Sequence, residues 1–597
     1  MSPDRAREAA SARPSPVVSA GLLLAGAALL AAYHWLHGRW GLGLSFVEQG
    51  LHFRPSPGEL FSLLLALATV VPATFLLGEA LRRGAPGLPR RLLALGAAEP
   101  GKVVALLALL GVAVALLARH LVVLDADLTD DERTYWYQAQ VFLESGFTGP
   151  LPRPLRAFLP AFAIPIEGGE GLAGLFPVGQ PLLMAAASLL GDPSLFQALF
   201  VGGIVLLTWR LALRLLEEPR LALLAAALVA LSPWLLGVAA TKHNAVPSTF
   251  FVLLSLWMAL EARERPALWR ALLTGLAIGI SYLVRPLDGL VVGVTVAAVW
   301  IAAFRALGGG ERLAFALRTL AALGATGAAA SVQLLANLRT TGSLLETAYP
   351  RWVAQGMPGA PLFGFGKTIW NLEQTPLSAL TKTLTALLRI ELWASGWPLL
   401  LVVVAIGLAH RPFRRRGWPL WLFSGLLFLG YFLYIFPSVQ DLGTLYHLPA
   451  WPALALAVAV GLERLAARFG RERVAAHALA ATLCALATFW VVQAVRLHGL
   501  AGDITRPVAL AEEAAAAAPG GKILLLWSDV RGGRRSWVTR PPLPSPRMDE
   551  PVLWVRDRPE LHAELAARYP ERLPLRLVWK ARGQPALVPV ALGAGPP

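Results

Sequence analysis

The chain has 597 residues, 56% of them hydrophobic and only 15% charged, with a mean hydropathy of +0.58 and a formal net charge of +16. A soluble domain is about one-quarter charged, so this composition excludes an ordinary globular protein. The lone Cys484 excludes an internal disulfide and a cysteine metal site. The positive balance does not point to nucleic acid, because the arginines sit in short loops between apolar runs.

Runs such as Val104–Leu117, Leu221–Leu231 and Leu454–Val460, with their flanks, predict membrane helices. About 20 apolar residues cross a bilayer core roughly 30 Å thick, and lipid offers the backbone no partner outside its own helix. Thirteen spans are expected, at 16–36, 59–80, 103–124, 193–215, 219–238, 247–262, 268–284, 287–304, 317–337, 397–411, 418–436, 447–465 and 475–495. No cleavage site follows Leu36, so the first span is not read as a signal peptide.

Charge tests that count. Alternate loops carry Arg82, Arg83, Arg90 and Arg91, then Arg210, Arg214 and Arg220, then Arg263, Arg265 and Arg270, then Arg305, Arg312 and Arg318. Arg411, Arg414, Arg415 and Arg416 follow, then Arg464, Arg468, Arg471 and Arg473, with Arg5, Arg7 and Arg13 at the N-terminus. All share one side, which the positive-inside rule makes the cytoplasm. The fold class expected is an all-α polytopic membrane protein with a small C-terminal α/β domain. Its parts are a two-helix extension over 1–102, a transmembrane core over 103–496 and an extracytoplasmic unit over 497–597.

Two loops outside are long, 125–192 and 338–396, which places the working surface there. Pro181–Leu190 is too short to span and reads as a re-entrant or interfacial helix. Pro376–Leu392 puts Leu377, Leu380, Leu384, Leu387 and Leu388 on one helical face, suited to the membrane surface. In the tail, Val508–Ala518 and Pro559–Ala567 read as helices, and Lys522–Trp527, Val552–Val555 and Leu575–Lys580 as strands. There is no internal repeat and no glycine-rich phosphate loop.

The first outer loop opens with Asp125-Ala-Asp-Leu-Thr-Asp-Asp-Glu-Arg-Thr-Tyr-Trp-Tyr, five acids within eight residues of a charge-poor chain. Topology does not require them, since acids direct it little. A carboxylate at the membrane surface can take a proton from an acceptor hydroxyl or bind a divalent ion. Tyr135, Trp136 and Tyr137 suit the interface and can also stack on a sugar. Lys242 and Arg285 lie at outer helix ends, against the bias of the other cations. His243 can titrate near neutrality, and Asp288 lies on the helical face of Arg285, as an ion-pair partner or a ligand.

The string Asp131-Glu132-x-x-Tyr135, between a membrane helix and Ala139 and Gly146, resembles the first-loop signature of the GT-C superfamily of glycosyltransferases. It is most similar to the dolichyl-phosphate-mannose protein mannosyltransferases and the bacterial aminoarabinose transferase acting on lipid A. Phe176-Pro-Val-Gly-Gln-Pro-Leu-Leu, Arg285-Pro-Leu-Asp288, Asn337-x-x-x-Thr341-Gly342 and Tyr446-His-Leu-Pro449 followed by Pro452 resemble further pieces of that group, over roughly 103–465.

The resemblance implies transfer of a sugar from a polyprenyl-phosphate donor to a lipid, glycan or protein acceptor. The reaction would run on the outer face of the bacterial cytoplasmic membrane, with the N-terminus cytoplasmic and the C-terminus outside. Asp131 is then base or acceptor-orienting group, and Glu132 supports it or binds sugar hydroxyls. Asp130, Tyr135, Lys242, His243, Arg285, Asp288 and Tyr446 bind substrate, with Lys242 and Arg285 as cations for the donor phosphate. No cofactor is required, although Asp125-x-Asp127 resembles a metal-binding pair of oligosaccharyltransferases and could take a divalent cation. The chain departs from the aminoarabinose group twice: Leu175-Phe176-Pro177-Val178 lacks an acid–lysine pair, and Leu445-Tyr446 lacks an arginine. A transporter or flippase of lipid-linked sugars would need midplane polar residues and inverted repeats, neither of which is evident. A non-catalytic membrane scaffold would leave the acidic loop without a role.

Overall fold

The structure is a computed structural model and describes residues 16–39, 57–88, 100–144, 146–158, 162–166, 171–356, 362–367, 373–436, 443–528, 542–580 and 584–592, with isolated positions between. Arg5, Arg7, Arg13 and Arg90 lie outside the described residues. The membrane helices are α1 (Pro16–Arg39), α2 (Pro57–Gly84) and α3 (Pro100–Leu117). The first outer loop holds α4 (Asp130–Glu144) and α5 (Gly179–Ser188). Then come α6 (Leu195–Leu216), α7 (Pro219–Ala230), α8 (Pro233–Ala239), α9 (Ala245–Glu264), α10 (Leu268–Val284), α11 (Pro286–Arg305) and α12 (Gly309–Thr341). The second outer loop contributes α13 (Pro376–Trp393), followed by α14 (Leu400–Leu408), α15 (Trp418–Leu433), α16 (Trp451–Phe469), α17 (Arg471–Ala485) and α18 (Val491–Ala517).

Among the described residues, nine helices are long and apolar enough to cross a membrane, or ten with the bent pair α7–α8. The 219–238 span is thus broken, by 48°, where Ser232 caps α8 and Pro233 begins it. Pro233 can only open a helix there, because it has no N–H to continue α7. The remaining expected spans are short: α10 has 17 residues, α15 has 16 and α14 only nine. The expected span 475–495 and the expected tail helix Val508–Ala518 join into one 47-residue rod, Arg471–Ala517, through a π turn at Leu486–Trp490. At 1.5 Å per residue it is about 70 Å long, twice the bilayer core.

Bundle contacts rest on small residues, as expected where lipid gives helices no hydrophobic drive to associate. A Cβ on Gly275 of α10 would stand 2.0 Å from the Ala322 carbonyl oxygen of α12, and one on Gly407 of α14 2.0 Å from that of Ala457 on α16. Thr326 reinforces the first crossing by donating to the Gly275 carbonyl at 2.9 Å.

Helix α13 turns its leucines outward and its polar side inward. Leu377, Leu380 and Leu384 are exposed, whereas Lys382, Thr385 and Arg389 are buried. Arg389 pairs with Glu59 of α2 at 2.7 Å, and Lys382 donates to Gln374 and the Tyr434 carbonyl. The polar face expected to meet water therefore packs into protein, and the leucine face is left for lipid.

The tail is a four-stranded sheet of β4 (Ile523–Trp527), β5 (Val552–Arg556), β6 (Leu573–Trp579) and β7 (Pro585–Pro589), after three short strands, β1 (Gly149–Pro150), β2 (Ala163–Pro165) and β3 (Gly171–Gly174), in the first outer loop. Its order is β7-β6-β4-β5, parallel except for β7. Strand β7 is not in the sequence reading. All five residues of β4 are buried, because both sheet faces are covered. Ile523, Leu525 and Trp527 pack on Ala511 and Ala515 of α18. Leu524 and Leu526 pack on Leu565 and on Ala157 and Phe158 of the first outer loop. The tail is docked on that loop, and Tyr569 also donates to the Arg153 carbonyl at 2.7 Å.

Replacing Gly275 by Ala should lower the apparent melting midpoint in detergent by several degrees, reflecting about 1–3 kcal/mol of overpacking. Gly324→Ala on α12, where a Cβ meets nothing within 4 Å, should leave the midpoint unchanged or slightly raised.

Candidate active site

The acidic loop leaves α3 through a π turn at Ala118–Val122. Leu124 and Asp125 then take left-handed backbone, at φ 52° and 56°, a strained arrangement for side-chain-bearing residues. Arg119 holds the turn from inside, donating to the carbonyls of Ala126 at 2.9 Å and Asp125 at 2.5 Å. The Asp125 side chain points to Arg119 and His120 and is exposed.

Thr129-Asp130-Asp131-Glu132 has the spacing of a capping box, with the glutamate returning to the threonine hydroxyl instead of its backbone N–H. The Thr129 hydroxyl receives the Glu132 N–H at 3.3 Å and donates to Glu132 Oε1 at 3.2 Å. This pattern was readable in the sequence and explains one of the five acids. Glu132 is fully buried; its Oε2 accepts the backbone N–H of Lys242 at 3.0 Å, and its Oε1 lies 3.6 Å from His243 Nε2. It has no surface to offer a sugar, contrary to the expectation for it. Burial, with the Asp127 charge next, pushes its carboxyl up to about 7. Burial, then the Arg285 charge, pushes His243 down to about 3, so it is neutral at physiological pH. His243 is a buried partner of Thr129 rather than a titrating group near neutrality.

Asp127 and Lys242 pair at 2.6 Å, with the ammonium 5.4 Å above the Trp136 ring. Burial opposes the Asp127 charge, but Lys242, Arg119 and Arg133 outweigh it and hold the carboxyl below its usual range. Lys242 is therefore occupied by Asp127, and Asp130 by Arg133 at 3.0 Å. Asp125 and Asp127 have different partners and form no metal pair. No group of three or more His, Cys, Asp and Glu among the described residues could hold a metal ion.

The turn bearing Lys242 and His243 is held by side chains from three elements. Gln180 of α5 donates to the Lys242 carbonyl at 2.7 Å and Gln197 of α6 to that of His243 at 2.8 Å. Asn244 donates to the Val284 carbonyl at 3.3 Å and accepts Arg285 Nε at 2.8 Å. Gly179 admits the close approach of α5, since a Cβ there would stand 2.5 Å from Leu283 and Val284 backbone. Among these, Gln180 and Asn244 were missed as site-shaping residues, although Gln180 lies within the proline-rich string.

Arg285 sits between α10 and α11, buried. It donates to the Leu445 carbonyl at 3.0 Å and lies 5.1 Å above the Tyr446 ring. Asp288 is 3.7 Å from Arg285, but its oxygens also accept Ser248 at 2.6 Å and Tyr431 at 2.7 Å. It is fully buried and acts as a structural acid, not an exposed ligand. Tyr446 stacks on Tyr431 at 4.6 Å and meets Tyr434 edge-on at 5.6 Å. Tyr135 of α4 reaches the same region through Phe176 at 5.0 Å, and Phe176 meets Tyr349 of the second outer loop at 6.4 Å. Asp131, partly exposed, lies one helical turn before Tyr135. Burial and then the Asp131 charge hold the Tyr135 hydroxyl well above its usual value, and the same carboxylate adds to the upward shift of Tyr349. The sequence-predicted residues Asp131, Tyr135, Arg285 and Tyr446 are brought together; Asp125 is not.

The two buried groups give opposite pH slopes. Glu132, raised in the folded state, binds more protons there than when unfolded, so it erodes stability as pH rises from about 4.5 to about 7. His243, lowered in the folded state, adds stability as pH rises from about 3 to about 6.5. Glu132→Gln should leave apparent melting midpoints in detergent climbing between pH 5 and 6.5. His243→Gln should leave them falling over the same window.

No protein-family model matches the chain, and no curated protein does. Among solved structures, it is similar to ArnT from Cupriavidus metallidurans bound to undecaprenyl phosphate, at 16% identity and TM-score 0.47, covering 82% of this chain and 99% of that one. It is also similar to the Archaeoglobus fulgidus oligosaccharyltransferase in the apo form, at 14% identity and TM-score 0.38, covering 65% of this chain. The same enzyme tethered with an acceptor peptide containing the NVT sequon gives 14% identity and TM-score 0.41, covering 71% of this chain. The chain spans 55% and 61% of the length of those two oligosaccharyltransferase chains.

Proposed function

We propose that this protein is a membrane glycosyltransferase that moves a sugar from a polyprenyl-phosphate donor to an acceptor on the outer face of the cytoplasmic membrane. The observation that carries the reading is the chain of ring contacts from Tyr135, one helical turn after Asp131, through Phe176, Tyr349, Phe436 and Tyr434 to Tyr446 beneath Arg285, at one end of the spans. The same helices end in arginine at their far ends: α9 begins beside His243 and carries Arg263, and α11 begins beside Arg285 and carries Arg305. Twenty residues put about 30 Å between those ends, and the positive-inside rule makes the arginine end cytoplasmic.

In this reading the acceptor hydroxyl attacks the anomeric carbon and gives its proton to Asp131. The bond from that carbon to the phosphate oxygen breaks, and its electron pair leaves on the polyprenyl phosphate. Arg285 stabilises the growing negative charge, a task for which a fixed guanidinium in a poorly hydrated site is suited. Tyr434, edge-on to the Tyr446 ring over which Arg285 sits, can donate its hydroxyl to a phosphate oxygen. The acceptor is a lipid, a glycan or a protein; the donor is shared by all three.

Asp131→Asn should lower transfer by about 10²–10⁴-fold while undecaprenyl phosphate still binds, measured by native mass spectrometry of the detergent complex and by glycan analysis of cells carrying the variant. Transfer equal to wild type would end the assignment of Asp131. Arg285→Gln should weaken undecaprenyl phosphate binding by about tenfold or more, roughly 1.4 kcal/mol; unchanged affinity would place the phosphate elsewhere.

A further inference from the structure

Helix α4 has two working faces. Asp131 and Tyr135 are one turn apart, and Tyr135 joins the aromatic group around Arg285. Arg133, Trp136, Tyr137 and Gln140 recur at helical spacing on another face and line a separate cavity of about 460 Å³. The opposite wall is the tail: Glu512 of α18, and Glu550 and Trp554 beside and within β5. The volume falls inside the roughly 300–1,000 Å³ typical of small-ligand sites. The cavity is absent from the account of transfer given above.

The lining selects a ligand class. Arg133 is paired with Asp130, and Asp127 at the cavity edge with Lys242. Glu512 and Glu550 form no ion pair among the described residues; Glu550 accepts from Ser545, at 2.9 and 2.8 Å. Among the described lining residues acids outnumber cations three to one, which disfavours phosphate or carboxylate. Trp136 and Trp554 supply flat apolar surfaces, while carboxylates and the Gln140 amide supply hydroxyl partners. Apolar planes beside carboxylates are what a pyranose ring needs, with its C–H face and its ring of hydroxyls.

We infer that this cleft binds the saccharide part of the acceptor, a neutral or amino-bearing sugar, so that the acceptor is a glycan or glycolipid. The inference rests on the transferase reading. The cleft then anchors the saccharide remote from the reacting end, the part that bears the attacking hydroxyl reaches round α4 to Asp131, and the tail is the outer wall of the acceptor site.

The test is saturation-transfer NMR on the full chain in nanodiscs, with maltotriose, chitotriose and tri-galacturonate as probes. Maltotriose or chitotriose should bind and tri-galacturonate should not. Gln140→Leu and Glu512→Lys should each weaken sugar binding at least fivefold, with undecaprenyl phosphate binding unchanged as the check on folding. Arg285→Gln should leave sugar binding intact. Tri-galacturonate binding as well as the neutral probes, no binding by any probe at millimolar concentration, or variants indistinguishable from wild type would overturn the inference. Failure of undecaprenyl phosphate to bind wild type would instead count against the transferase reading, with sugar binding in the cleft read independently.

Discussion

Taking a carboxyl group out of water costs several kcal/mol unless its lone pairs are met by fixed donors. Glu132 meets that condition by gripping its own capping threonine on one side and the backbone N–H of Lys242 on the other. These contacts tie the first outer loop to the turn before α9. From there the order propagates: the turn is held by Gln180 and Gln197, and Asn244 in it receives Arg285. The position of the guanidinium over Tyr446 thus depends, through a short chain of hydrogen bonds, on where the capping box seats α4. Such a network specifies one geometry because each polar group in it is costly to leave unpaired.

The acidic string therefore does several jobs with one residue type. Asp125 and Asp130 answer arginines, Asp127 answers Lys242, Glu132 answers backbone, and Asp131 lies one turn before Tyr135. Helical geometry separates these tasks, since consecutive residues point about 100° apart. The two outer loops close around the aromatic group, with Tyr135 and Phe176 from the first and Tyr349 from the second.

Apolar run length made most membrane helices legible, because a lipid solvent imposes one simple rule on the backbone. It failed where protein replaces lipid as the surroundings: α14 and α15 are short, and α7–α8 is bent at a proline inside an apolar run. Strand β7, Pro585–Pro589, was missed because two prolines disguise an edge strand, the place where a missing N–H costs least. In the site, residue type gave the cluster but not the pairing. Nothing in sequence spacing says that Lys242 meets Asp127, or that Arg285 lies over Tyr446. Those facts come from residues more than a hundred positions apart. The Thr129–Glu132 box was local and could have been read.

The docking of Phe158 and Ala157 beneath the tail sheet has a bearing on assembly order. Part of the apolar surface under β4 and β5, Ala157 and Phe158, comes from a loop made several hundred residues before those strands. Domains generally fold as the chain appears, N-terminal parts first. Here the earlier loop must wait with its phenylalanine uncovered until β4 and β5 arrive to shelter it. A chain cut short before β4 would be left with a sticky patch on its first loop.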